Sequence, residues 1–85
     1  MRKPLRFTAH ARVALEERLL ERGWIERAVF EPEWQETDPN DPSVNRRFVA
    51  LPERGGRVLR VALVESATEI RILTAFLDRR ARRPQ

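Results

Sequence analysis

The sequence contains no cysteine and no tyrosine, one histidine, one lysine and three glycines. The absence of cysteine excludes a disulfide framework and a thiolate zinc site, and it is typical of a reducing compartment, so we expect a cytoplasmic protein. The basic start of the chain lacks the apolar stretch of a signal peptide. Apolar runs such as residues 61–64 are far shorter than the roughly 20 residues of a membrane span, so no membrane partner is expected.

What remains is a short and highly charged chain. Its 85 residues support one domain with a thin core, and 35% of them are charged, against about 25% in typical globular domains. Four of the 17 bases lie at the C-terminus (Arg79, Arg80, Arg82 and Arg83), which leaves 13 bases against 13 acids in residues 1–78. The sequence therefore predicts one domain over residues 1–78 and a basic, frayed tail over residues 79–85.

The other charges are distributed unevenly. Five carboxylates and no base lie between Glu31 and Asp41, and arginines resume at Arg46. All bases except Lys3 are arginines, whose planar guanidinium groups suit phosphates. This pattern indicates either a positive face for nucleic acid or a genome rich in G and C, which favours arginine.

The order of apolar and turn-forming residues predicts an α+β domain. Thr8 is a suitable N-cap for a main N-terminal helix over residues 9–22 that ends at Gly23, and a short second helix is predicted over residues 25–30. Strands are predicted over residues 33–37, 46–51, 57–65 and 68–77, with a loop at residues 38–43. We expect the helices to pack on a three- or four-stranded antiparallel sheet.

The last two predicted strands carry apolar residues on both faces, which is typical of central strands. One face is expected to lie under the main helix. The other face is then either a shallow groove or the contact of a homodimer.

Five segments, in their order and spacing, carry a resemblance to known families: residues 8–12, 21–23, 31–33, 55–61 and 70–76. The arrangement of these segments resembles the architecture of RelE-type ribonuclease toxins, and the sequence is similar to the bacterial domain-of-unknown-function family 4258. The second half also resembles the BrnT group of ribonuclease toxins. The resemblance implies RNA cleavage without a metal or another cofactor, by a toxin that a neighbouring antitoxin protein neutralises.

Metal-independent RNA cleavage requires a group that transfers a proton and cations that bind the phosphate. His10 is the candidate for proton transfer, because imidazole titrates near neutral pH; the alternative is a structural residue at the polar edge of the helix. The candidate RNA- and phosphate-binding residues are Arg12, Arg47, Arg60, Arg71, Thr74, Arg79 and Arg80. Their alternatives are solvated sheet surface, a pair of Arg12 with Glu16, an ordinary strand position for Thr74 and a frayed terminus.

No metal site is expected, because residues 38–43 do not match a calcium-binding loop and no zinc-ligand spacing is present. Two functions therefore follow from the sequence. One is a toxin-like RNA-binding domain with metal-independent endoribonuclease activity. The other is a non-catalytic interaction module that pairs through a sheet edge or an apolar outer face.

Overall fold

A computed structural model of the protein describes residues 2–84. It contains two helices on one face of a five-stranded sheet. The elements follow one another as β1 (Leu5–Phe7), α1 (Ala9–Glu17), α2 (Arg22–Phe30), β2 (Trp34–Asp38), β3 (Asp41–Leu51), a 3₁₀ turn (Pro52–Arg54), β4 (Arg57–Glu65) and β5 (Ile70–Leu77).

The sheet has the strand order β1-β5-β4-β3-β2, with β1 parallel to β5 and the other neighbours antiparallel. The α+β class is confirmed. The predicted sheet of three or four antiparallel strands is wrong, because the sheet has a fifth strand, β1, which is parallel to its neighbour β5. Sequence patterns missed β1 because it has only three residues, which is too short for a recognisable alternation of apolar and polar positions.

The predicted main helix over residues 9–22 is shorter in the structure, and the predicted second helix over residues 25–30 is longer, because α1 ends at Glu17 and α2 begins at Arg22. Arg18 is the C-cap of α1, and Leu19 adopts the left-handed conformation with φ 54°. The N–H of Leu20 donates to the carbonyl oxygen of Leu15 (2.9 Å), and that of Leu19 to Glu16 (3.3 Å). This pattern is a Schellman motif with leucine in the position that usually belongs to glycine. Gly23, which was predicted to end the helix, lies inside α2 instead.

The predicted loop at residues 38–43 is mostly strand. The Asp38 carboxylate accepts hydrogen bonds from the N–H groups of Asn40 (2.8 Å) and Asp41 (3.2 Å), which closes a tight turn. The hydrogen bond from the Asn40 N–H lowers the pKa of Asp38, with further contributions from Arg46 and from the Asp41 N–H. Pro42 lies within a register shift of the β2–β3 pair, between the paired residues Asp41 and Asn45, where no ladder hydrogen bond is required of it.

The helices cover one face of the sheet. Leu59, Val61 and Leu63 of β4 point to that face and are fully buried. The helix α1 packs mainly on β5, while α2 packs on β3 and β4. Residues 57–65 form a central strand, as predicted. Its covered face lies under α2, whereas α1, the counterpart of the predicted main helix, lies on the other predicted central strand, β5. Trp24 is buried in this core.

The other face of the sheet, which we call the open face, carries no helix within residues 2–84. On it the Trp34 and Phe48 rings are stacked, with 4.8 Å between their centroids. Phe48 of β3 lies opposite Arg60 of β4, and Arg60 lies opposite Phe76 of β5. An aromatic and cationic row therefore crosses the open face.

The basic tail continues from β5 across the end of the sheet. The N–H of Asp78 donates to the carbonyl oxygen of Val58 (2.8 Å), and Arg83 forms an ion pair with Glu33. The first and last residues of the predicted domain and tail, 1 and 85, lie outside the described residues. No helix in the described part of the chain is long and apolar enough to cross a membrane.

Candidate functional site

The strand arginines that the sequence offered for phosphate binding lie on different faces of the sheet. Arg47 is in register with Val61, which points to the helices, whereas Arg60 is in register with Phe48 and Phe76 on the open face. The alternation of side chains along a strand separates the two guanidinium groups by the thickness of the sheet. Arg47 and Arg60 therefore do not hold one phosphate together.

All three guanidinium nitrogens of Arg47 donate hydrogen bonds within the protein. Its Nη1 donates to the carbonyl oxygen of Val29 in the last turn of α2, its Nη2 to the Glu65 carboxylate and its Nε to the Asn45 side-chain oxygen. Each of these donor–acceptor distances is 2.8 Å. Hydrogen bonds from Lys3, and then from Arg47, lower the pKa of Glu65. These contacts join the C-terminal end of α2 to the sheet, so they give Arg47 a structural role.

On the open face, Arg60 and Arg71 are far apart. Arg60 is in register with Phe76, and Arg71 with Val64, four residues further along β4. At about 3.3 Å per residue this places them roughly 13 Å apart along the strand, with Thr74 between them. Arg60 also pairs with Asp78 (3.3 Å) and lies over the Phe76 ring at 5.1 Å.

His10 and Arg12 are both exposed on α1 and point in different directions. Two residues along a helix correspond to a rotation of about 200°. Within residues 2–84 the His10 ring has no hydrogen-bond partner. Because α1 lies on the covered face, His10 is on the other side of the sheet from Arg60 and Arg71. The predicted nuclease residues thus form no common cluster.

A different set of arginines does meet, at the end of the sheet where β3 and β5 end and β4 begins. A cavity of about 420 Å³ lies there, which we call the arginine cavity. It is lined by Arg18, Arg54, Arg57, Phe76, Leu77 and Arg79. Four of these six residues are cationic and none is acidic.

The β3–β4 turn brings two of these arginines to the cavity. Arg54 ends the 3₁₀ turn and Arg57 begins β4, with Gly55 (φ 67°) and Gly56 (φ 81°) between them. Both glycines have backbone conformations that other residues adopt at a cost. The turn therefore fixes Arg54 and Arg57 at the same end of the sheet.

The other two arginines arrive from the ends of β5 and α1. Because β5 runs antiparallel to β4, Arg79 emerges where β4 begins. Arg18 is the C-cap of α1 and donates from its Nη1 to the carbonyl oxygen of Ala75 at 3.4 Å. Three elements distant in the sequence thus contribute guanidinium groups to one cavity.

Neighbouring contacts hold the turn in place. Arg27 donates two hydrogen bonds to the Glu53 carboxylate (2.6 and 3.0 Å), and these lower the pKa of Glu53 to about 2. Arg54, the next residue, lies over the Trp24 ring at 5.8 Å. The position of Arg54 is therefore supported from α2 as well as from the turn.

The four cavity arginines have no carboxylate partner in the described part of the chain. Eight of the 17 bases form ion pairs there: Lys3, Arg6, Arg22, Arg27, Arg46, Arg47, Arg60 and Arg83. Arg57 and Arg79 also line an adjoining cavity of about 280 Å³, together with Arg82 and one carboxylate, Asp78, which pairs with Arg60. The uncompensated positive charge extends from the arginine cavity along the tail, where Arg80 is exposed.

Of the four arginines that line the arginine cavity, the sequence predicted only Arg79 as a phosphate-binding residue. Arg54 and Arg57 could have been found, because a hairpin turn at Gly55-Gly56 brings its flanking residues and the end of the following strand together. Arg18 could not be found, since the predicted helix continued past it to residue 22.

The cavity lining presents four guanidinium groups, a donor set that suits an anion, and it contains no carboxylate, histidine or thiol. No cluster of potential metal ligands occurs among residues 2–84.

A family model described as a domain of unknown function, DUF4258, matches residues 7–77. No curated protein and no solved structure matches the chain. The family match confirms the predicted similarity to the domain-of-unknown-function family 4258. The similarity to RelE-type and BrnT toxins stays a prediction.

Proposed function

Because the chain belongs to the DUF4258 family, a family of domains of unknown function, we propose its function from its own geometry: the protein binds RNA, with backbone phosphates in the arginine cavity. One observation carries this proposal. Four arginines without carboxylate partners among residues 2–84 line a single cavity. Guanidinium groups bind phosphate oxygens through charge-assisted and often bidentate hydrogen bonds.

The lining favours a single-stranded nucleic acid. Proteins bind single strands by combining a cationic groove for the backbone with aromatic rings on which bases stack. Phe76 supplies a half-buried ring in the same lining. The tail arginines Arg80 and Arg82 extend the positive surface beyond the cavity, which suits a chain of phosphates more than one small anion.

The test is the affinity of the purified protein for a fluorescently labelled single-stranded RNA, measured by anisotropy at low and physiological salt. We expect the double variant Arg57→Ala/Arg79→Ala to bind at least about tenfold more weakly, since each lost phosphate contact removes charge-assisted hydrogen bonds.

The matched control is Arg12→Ala/Arg71→Ala. Both residues are exposed arginines without a carboxylate partner within residues 2–84, they lie outside the arginine cavity, and the sequence had suggested them for RNA binding. If both double variants lose affinity equally, the effect is one of net charge, and the arginine cavity is not the site.

RNA cleavage is a separate proposal, because it depends on His10 and not on the cavity lining. It is tested by incubation of the wild-type protein and of His10→Ala with total RNA in the presence of a chelator. Cleavage by the wild type alone would support the predicted proton transfer by His10. Equal cleavage by both proteins, or by neither, would remove that role.

A further inference from the structure

The strand β1 leaves one edge of the sheet unpaired. Pro4 accepts from the N–H of Ile70 (3.0 Å), and the N–H of Thr8 donates to Ile72 (3.1 Å). Because backbone groups alternate in direction along a strand, those of Leu5 and Phe7 point away from β5. Among residues 2–84 the strand β1 pairs with β5 alone, so the outward N–H and C=O groups of Leu5 and Phe7 can accept one more strand.

Two arginines stand directly opposite each other beside this edge. Arg6 of β1 is in register with Arg71 of β5, and like charges in such a pair are destabilising. Arg6 has a side chain that is 70% exposed and a single distant partner, Glu69, at 3.8 Å. Arg71 has no carboxylate partner within residues 2–84. A carboxylate placed next to Arg6 by an added strand would compensate this pair.

A cavity of about 590 Å³ with a mixed lining lies along the same edge, between β1 and α1. Leu5, Phe7 and Leu15 supply its apolar part, and its charged lining residues are Arg6, Arg12, Glu16 and Arg22. The residues before and after the compensating carboxylate would point into this cavity, since neighbours in a strand face opposite sides. Apolar side chains fit the apolar part of its lining.

We propose that the free edge of β1 binds an extended peptide of a partner protein with the pattern apolar–acidic–apolar. The acidic residue lies beside Arg6 on the open face, and its two apolar neighbours fill the cavity under α1. Backbone hydrogen bonds to Leu5 and Phe7 supply the remaining contacts.

The other edge strand of a second copy of this chain, β2, does not provide that pattern. In β2 the acidic residue Glu36 lies between Gln35 and Thr37, which are polar. Glu36 also pairs with Arg46 already (3.3 Å). The pattern therefore points to a different protein as the partner. Because this surface is separate from the arginine cavity, the inference does not depend on RNA binding.

The probe is an acetylated and amidated peptide with the centre Val-Glu-Val between two threonines, and its counterpart is the same peptide with Val-Lys-Val. Each is titrated into the ¹⁵N-labelled protein, and amide shifts are followed by NMR. We expect the glutamate peptide to shift the amides of residues 5–8 and 71 and to bind at least about fivefold more tightly than the lysine peptide.

The charge-swap variant Arg6→Glu is expected to reverse this preference, because the position then attracts lysine. The matched control Arg80→Glu makes the same charge change in the tail and is expected to keep the original preference. Equal affinity for both peptides, shifts confined to other parts of the protein, or the same preference in Arg6→Glu would each overturn the proposal. Self-association of the free protein that protects the β1 amides would also overturn it, because a second copy would then occupy the edge.

Discussion

Leu19 is held in a backbone conformation that its side chain does not favour. Its φ of 54° lies in the left-handed region, and its side chain is 78% exposed. A left-handed conformation costs a non-glycine residue roughly 1–2 kcal/mol. Little buried apolar area compensates this cost at Leu19, so the position is a local source of strain.

We expect Leu19→Gly to stabilise the protein. The relieved strain exceeds the greater chain entropy of glycine, which is about 0.5–1 kcal/mol, and the net gain is about 0.5–1 kcal/mol. Urea unfolding followed by circular dichroism measures this change. Leu19→Ala serves as the control, because alanine keeps the strain; an equal gain in both variants would contradict the explanation.

Glu53 provides a prediction about acid stability. Its pKa falls to about 2 in the folded protein, chiefly because of the Arg27 hydrogen bonds. A carboxylate with a lowered folded-state pKa contributes stability that is complete above the unfolded pKa of about 4.5 and is lost as the pH falls towards the folded value. We therefore expect the melting temperature to decline between about pH 4.5 and pH 2, in part through this group.

Glu53→Gln should be less stable than the wild type at neutral pH and should lose less stability on acidification. The measurement is the melting temperature across this pH range. Glu17→Gln is the matched control, since Glu17 is exposed and forms no ion pair within residues 2–84. Parallel acid profiles for Glu53→Gln and the wild type would show that the Arg27–Glu53 pair does not contribute.

At the scale of secondary-structure elements, arginines of similar sequence context have different roles. Arg47 joins α2 to β3 and is mostly buried, with 15% of its side chain exposed. Arg57 begins β4 and opens into the arginine cavity. The element that each residue joins, and the face on which it lies, separate the structural Arg47 from Arg57, which we propose to bind phosphate.

We expect Arg47→Ala and Arg57→Ala to have opposite effects on the free energy of unfolding and on RNA affinity. Arg47→Ala leaves the Val29 carbonyl oxygen and Glu65 without a donor and costs about 1–2 kcal/mol of stability, with unchanged RNA affinity. Arg57→Ala weakens RNA binding and leaves the free energy of unfolding within about 0.5 kcal/mol of the wild type. Thermal unfolding and anisotropy on the same preparations measure both effects. Loss of RNA affinity in Arg47→Ala at full stability would contradict this division.

At the scale of the whole molecule, the charge pattern is more important than the net charge of +4. Ion pairs compensate most of the sheet and helix charges, and the uncompensated arginines concentrate at the end of the sheet and in the tail. Binding of a polyanion there releases counterions from the nucleic acid, so the affinity depends on salt.

The salt dependence gives the number of phosphates in contact. For single strands the slope of log affinity against log salt is about −0.7 for each phosphate neutralised. Four contacts in the arginine cavity predict a slope of about −3, and Arg57→Ala/Arg79→Ala should reduce its magnitude by about 1.4. A slope near zero, or one unchanged in the variant, would contradict phosphate binding in this cavity.

Local pattern was sufficient where neighbouring residues decide the structure. The two-sided apolarity of residues 57–65 predicted a central strand, and Gly55-Gly56 predicted the turn before it. The helix pattern failed at Leu19, because no local signal marks a leucine that ends a helix. The turn at Asp38 was read as a longer loop, because Pro42 is unusual in a strand.

The sequence by itself determined the α+β class, the central strands, the absence of cysteine and the basic excess of the tail, because each depends on composition or on residues a few positions apart. Only the tertiary structure decided that β1 joins β5, that Arg47 and Arg60 lie on opposite faces, and that Arg18, Arg54, Arg57 and Arg79 line one cavity. These features depend on strand register and on packing between elements that are distant in the chain, and local periodicity carries no information about either.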